Sequence, residues 1–177
     1  ISLDVSSRSS VMLTEVIFRE FYKIDPDKFQ LHTNTSPYES KTDAFLIIGD
    51  PALKLATRGE WQYRYDVGEI WQQHTSLPFV FAAWITCRNK HYNVHPFALI
   101  LSKARDKGRD AIPQIVLEHK EELPISPEKI ENYLTNSIHH KIEQEERTAL
   151  KKFFDLAKFH KIIPKRNKIT FSDGTEV

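Results

Sequence analysis

The sequence predicts an α/β fold built on a sheet with helices packed on it, and three observations carry the prediction. Two continuous apolar runs, Ala44 to Ile48 and Leu77 to Cys87, are bounded by turn residues, as strands covered on both faces are. Helical periodicity alternates with these runs. No two-residue hairpin turn joins any pair of them, which disfavours an antiparallel meander.

The elements follow in order. Ile1-Ser2-Leu3-Asp4-Val5 is a short apolar run that ends in Ser6-Ser7-Arg8-Ser9-Ser10. Val11 to about Lys23 then reads as a helix, with Leu13, Val16, Ile17 and Phe21 inward and Glu15, Arg19 and Lys23 as a polar stripe at spacing four. Asp25-Pro26-Asp27 breaks it, and Phe29 to His32 is a short strand. Asp43 to Asp50 contains the first buried strand, with Asp50 as N-cap and Pro51 as first residue of a short helix through Leu55. Asp66-Val67-Gly68-Glu69 has the form of a capping box and opens a turn or two of helix carrying Ile70 and Trp71. Leu77 to Cys87 is the second buried strand.

Beyond about residue 92 the pattern is helical. Val94 to Lys107 is expected to stop at Gly108. Asp110 to Glu122 has Pro113 in its first turn, and Ser126-Pro127-Glu128 starts a third helix. Glu145 to His160 places Leu150, Phe153, Phe154 and Ala157 on one face. Residues 164–177 are polar and expected to be loosely held.

Composition narrows the function. The chain has 177 residues, with 25 basic and 24 acidic side chains and a net charge of +1, so nothing drives it generally toward nucleic acid or an anionic membrane. Any anion site must be local. Cys87 is the only cysteine, which excludes an intrachain disulfide and argues against an ordinary zinc cluster. No apolar stretch reaches transmembrane length. Cytoplasm is the default location, subject to whatever precedes Ile1, since the chain opens in a strand without Met.

The Ser6–Ser10 segment is the candidate site. A strand that empties into four hydroxyls and an arginine at a helix start presents free N–H groups and the positive dipole end to a ligand. Arg8 is suited to clamp a carboxylate or phosphate. Plain N-capping by serine explains the same residues equally well. Ligands of open α/β sheets bind beyond the carboxyl ends of the strands, which adds weight to the site reading. Gly49-Asp50 ends the other strand, where Gly49 permits close backbone approach and Asp50 is best explained as a cap. Cys87, His91 and His95 share a spacing of four, but Pro96 interrupts any single helix, so metal binding is disfavoured. His139-His140 reads as a surface pair. The aromatics Trp61, Tyr63, Tyr65, Trp71, Phe79, Phe81 and Trp84 are mostly core by spacing, with walling of a ring-shaped ligand as the second reading. Neither Gly-x-Ser-x-Gly nor a phosphate loop is present.

Three segments together carry a resemblance: Leu3-Asp4-x-Ser6-Ser7-Arg8-Ser9-Ser10-Val11, then Asp43-Ala44-x-Leu46-Ile47-Ile48-Gly49-Asp50-x-Ala52-Leu53, then Tyr65-Asp66-x-Gly68-Glu69-x-Trp71 leading to Thr75-x-Leu77-Pro78-Phe79-Val80-Phe81-Ala82-x-Trp84. In this order they resemble the chorismate dehydratase family of the futalosine route to menaquinone. The related cyclase of that route has a second motif without Ile-Gly-Asp. The resemblance covers roughly residues 1–87; the helical remainder agrees in kind.

The resemblance implies a fold like a type II periplasmic binding protein, two-lobed with the ligand in the cleft. It implies dehydration of chorismate to 3-[(1-carboxyvinyl)oxy]benzoate without metal or organic cofactor. Ser7, Ser9 and Ser10 become expected donors to a small dicarboxylate, with Arg8 as a weaker candidate and Gly49 and Asp50 lining the same cleft. Residues 1–87 become a central α/β lobe and 88–177 a helical segment returning to a first lobe that these residues do not contain. An Asn of that lobe is expected in the cleft. Ser9 stands where the family usually has Thr, and Ser76 where it usually has Gly. No residue is assigned as base. The rival reading is a non-enzymatic solute-binding or sensor domain of the same fold for a small carboxylate.

Overall fold

Strand β1 (Ser2–Asp4) is the middle of a three-stranded sheet in the computed structural model, which describes residues 1–31, 41–56, 61–86, 93–122 and 125–177. The strand order is β2-β1-β3, with β2 at Phe29–Leu31 and β3 at Phe45–Leu46. Both neighbours run parallel to β1, with Ser2 opposite Phe29 on one side and Phe45 on the other. β1 is buried along its whole length. Strands flanked on both sides make that burial tolerable, because each backbone polar group finds a partner.

Helix α1 (Arg8–Val16) follows β1 directly and continues as a π-helical turn, Ile17–Phe21. It begins three residues earlier than its apolar pattern suggests, because Ser7 caps it with extended backbone and an accepting hydroxyl. Helix α2 (Gly49–Ala56) starts at Gly49 with a φ of 63°, before the expected cap at Asp50. Helix α3 (Val67–Thr75) is nine residues long, longer than expected, and Asp66 Oδ1 accepts from the N–H groups of Gly68 and Glu69. It ends at Ser76 in the left-handed region, with a φ of 56°.

The second apolar run departs from expectation. No strand forms over residues 77–86, and residues 81–86 are exposed, Trp84 at 84% and Ile85 at 91%. An extended apolar segment becomes a strand only beside another backbone, and no described residues pair with this one. Apolar content reports a demand for burial and says nothing of the partner.

The second half contributes α4 (His95–Asp110), α5 (Ile112–His119), α6 (Pro127–Asn132, continued by a π-helical turn, Tyr133–Ser137) and α7 (Gln144–Phe159). Gly108 lies within α4 and does not stop it. Phe97, Leu99, Ile100 and Leu101 of that helix are all exposed. Ile112, Val116 and Ile130 make a small cluster between α5 and α6.

The main core joins both halves of the chain. Leu13, Val16 and Ile17 from the first helix pack with Trp71 of α3 and with Phe153 and Ala157 of α7. Trp71 is fully buried and sits edge-on to Phe79 and Phe153. The end of the chain is pinned: Ile169 and Val177 exchange backbone hydrogen bonds, Arg147 pairs with Asp173 at 2.7 Å and lies over the Phe171 ring. The loose tail expected from its polarity is therefore a clasped hairpin. Its partner is a side chain on α7.

Candidate functional site

The sheet places both candidate segments at one end. β1 and β3 are adjacent and parallel, so the Ser6–Ser10 segment after β1 and Gly49 after β3 leave from the same carboxyl edge.

At β1, Asp4 organises the exit. Its buried carboxylate accepts from the Ser6 N–H at 2.9 Å and from the Ser6 hydroxyl at 2.6 Å, which closes a tight turn into α1. Ser7 then caps the helix, accepting from the Ser10 N–H at 3.2 Å. The Ser7 hydroxyl also donates to the Ser10 hydroxyl at 3.0 Å and lies 3.3 Å from that of Ser9. Ser10 is buried, and its carbonyl accepts from the Thr14 hydroxyl at 2.9 Å. Three hydroxyls thus converge on the first turn of a nine-residue helix. Hydroxyls can turn over as donors or acceptors, so the cluster can redirect its bonds to a ligand oxygen.

Ser9 reaches across the molecule, donating to the Phe81 carbonyl at 2.9 Å. That bond brings the aromatic segment Phe79–Phe81 against the hydroxyls. Ser9, Ser10, Gly49, Phe79 and Phe81 all line one broad cavity of about 3850 Å³. A small-molecule pocket holds about 300–1,000 Å³, so this surface is an open wall and not a closed pocket.

The remaining candidates stand apart. Arg8 is exposed at the start of α1 and makes no ion pair among the described residues. Asp50 is exposed on α2. Neither they nor Ser7 lie on the cavity lining. Of the predicted set, the structure brings Ser7, Ser9 and Ser10 together by hydrogen bonds and puts Gly49 on the same cavity. Cys87 and His91 fall outside the described residues, while His95 opens α4. His139 and His140 are exposed, as a surface pair is. Among the described residues no group of three or more His, Cys, Asp or Glu is placed to hold a metal ion, and no helix is long and apolar enough to cross a membrane.

Sequence reasoning missed Asp4 and the tie between Ser9 and Phe81. Asp4 had a usable signal, since Asp two residues before Ser is the pattern of a side chain bonding its own turn. Phe81 was legible as core or as a wall for a ring-shaped ligand, but its tie to Ser9 had no signal, because it spans 72 residues.

Comparison with known proteins extends this picture. The family described as menaquinone biosynthesis matches residues 1–158. A chorismate dehydratase from Campylobacter jejuni is 34% identical over 119 residues, which is 67% of this chain and 51% of the relative. A chorismate dehydratase from Thermus thermophilus is 29% identical over 171 residues, 86% of this chain and 60% of the relative. The chain thus spans between half and three-fifths of the length of these curated relatives.

Proposed function

Since the chain belongs to the menaquinone-biosynthesis family, we propose that it carries one wall of a chorismate dehydratase, a cytoplasmic lyase of the futalosine route. In this reading residues 1–87 form the central α/β lobe of a two-lobed cleft like that of a type II periplasmic binding protein. Residues 88–177 return toward the other lobe. The exposed apolar surface of Phe81, Trp84 and Ile85 and of α4 supports a second wall.

The observation that carries the reading is the convergence of Ser7, Ser9 and Ser10 at the start of α1, on the carboxyl edge shared with Gly49. Chorismate and its product each have two carboxylates. The first turn of α1 offers hydroxyls, backbone N–H groups and the positive end of the helix dipole to one of them. Arg8 stands exposed in this turn and makes no ion pair among the described residues, as suits a side chain offered to an anion.

The reaction removes a proton and expels hydroxide, and aromatisation supplies the driving force. The site's work is mainly to hold the carboxylates so that the departing groups are aligned. No residue of this chain is assigned as the base, a role that a substrate group can also fill. Nucleic acid and membrane have no role in this reading.

Incubation with chorismate, following the aromatic 3-[(1-carboxyvinyl)oxy]benzoate by absorbance and chromatography, tests it. Product formation by the full-length family protein, with chorismate binding weakened in Ser10→Ala, is the expected result. Tight binding of another small carboxylate without any product would favour a solute-binding or sensor domain instead.

A further inference from the structure

Hydroxyls at a helix start recognise a carboxylate but discriminate poorly between one dianion and another. Selectivity needs a surface matched to the rest of the ligand. We propose that the Phe81 ring is this specificity-determining surface, the wall on which an unsaturated six-membered ring lies while its carboxylate is held at Ser7–Ser10; the inference rests on the dicarboxylate reading above.

Position comes first. Phe81 lines the same cavity as Ser9 and Ser10, and its own carbonyl accepts the Ser9 hydroxyl at 2.9 Å. The ring is therefore tethered one hydrogen bond from the hydroxyl cluster. Support comes next. Phe81 meets Phe79 edge-on at 4.7 Å, and Phe79 in turn meets Phe153 at 4.9 Å and Trp71 at 5.6 Å, both edge-on. This chain of rings ends in the buried core, so the Phe81 ring stands on a rigid base. Gly68 completes the seat: a Cβ there would lie 3.5 Å from two Phe81 ring carbons, so the ring rests directly over bare helix backbone.

Exposure supplies the last part. Phe81 keeps 47% of its surface open, although its backing is fixed. A phenyl ring held rigid and left open toward a cavity is suited to another π system, which it meets offset or edge-on. An acyclic dianion of equal charge gains nothing from it.

Calorimetric titration of the full-length family protein with chorismate and with glutarate, an acyclic dicarboxylate, separates the two contributions. Phe81→Ala is expected to weaken chorismate binding about tenfold and to leave glutarate binding unchanged. Phe81→Tyr, which keeps the ring, should bind chorismate like the wild type, and Phe81→Leu should fall between. Phe81→Leu also retains apolar volume, so the question survives if the alanine variant folds poorly. Equal weakening of both ligands, or unchanged chorismate affinity in the leucine and alanine variants, overturns the wall. Failure of the wild-type full-length family protein to bind chorismate overturns the dicarboxylate reading itself and the wall with it, a result visible before any substitution is made.

Discussion

The Ser9 hydroxyl donates to the Phe81 carbonyl at 2.9 Å, joining the first turn of α1 to a segment 72 residues further along the chain. The bond matters because residues 77–86 take no strand partner among the described residues. It also gives a physical reason for a β-hydroxy side chain at this position. Ser9→Ala removes the donor and is expected to cost about 0.5–1 kcal/mol, the lower end for a hydrogen bond because this one is exposed. Ser9→Thr keeps the hydroxyl and should be neutral within error. Urea denaturation of the three proteins checks both values, and an alanine variant as stable as wild type would show that the tie contributes nothing.

Trp71 has two attachments to the core. Its ring is fully buried among Phe21, Phe79 and Phe153, and its Nε1 donates to the Pro78 carbonyl at 3.1 Å. Trp71→Phe should cost about 1–3 kcal/mol, since it leaves a small void and a carbonyl without its donor. Trp71→Ala should cost about 3–5 kcal/mol or abolish folding. Equilibrium unfolding followed by circular dichroism reads the difference. A phenylalanine variant as damaging as alanine would mean that the hydrogen bond, and not the ring volume, dominates.

Local signals reached part of this structure and stopped where contacts became distant. Ser7 was legible because a hydroxyl just before a helical period is a cap by chemistry alone. The apolar face of Phe153 and Ala157 was legible from its spacing, and both residues are buried in the core. The strand expected from Leu77 is not formed over the described residues 77–86, because hydrophobicity specifies burial and leaves the pairing partner open. Gly108 was misread as a stop. Glycine costs a helix about 1 kcal/mol, which α4 tolerates, and nothing lies within 4 Å of where its Cβ would be. The site itself divides the same way. The hydroxyl cluster is local to Ser7–Ser10, whereas its link to Phe81 depends on the tertiary fold.

The hairpin at the end of the chain should resist acid. Arg147 and the hydroxyl and N–H of Thr175 hold the Asp173 carboxyl well below the usual carboxylate range. A carboxylate with a depressed native pKa stabilises the fold at pH values above its unfolded pKa, and the contribution disappears as pH falls through the native value. The Arg147–Asp173 clasp is therefore expected to remain closed at pH 4 and to open only below the ordinary Asp range. Carboxyl carbon chemical shifts followed from pH 6 downward measure this directly. Titration of Asp173 near its ordinary value would show that the clasp does not persist in solution. Because the group is exposed, the readout is the local titration and not global stability.

Ser76 ends α3 in the left-handed region, with a φ of 56° and its N–H bonded to the Gln72 carbonyl at 2.7 Å. Left-handed backbone costs an ordinary residue about 1–2 kcal/mol, and glycine is free of that cost. Glycine in turn loses more freedom on folding, which offsets about 0.4–1 kcal/mol. Ser76→Gly is therefore expected to stabilise the chain by up to about 1 kcal/mol, while Ser76→Val, branched at Cβ, should destabilise it by more than that. Thermal and urea unfolding of the two variants decide the matter. A glycine variant less stable than wild type would mean that the serine side chain contributes a contact outweighing its backbone strain.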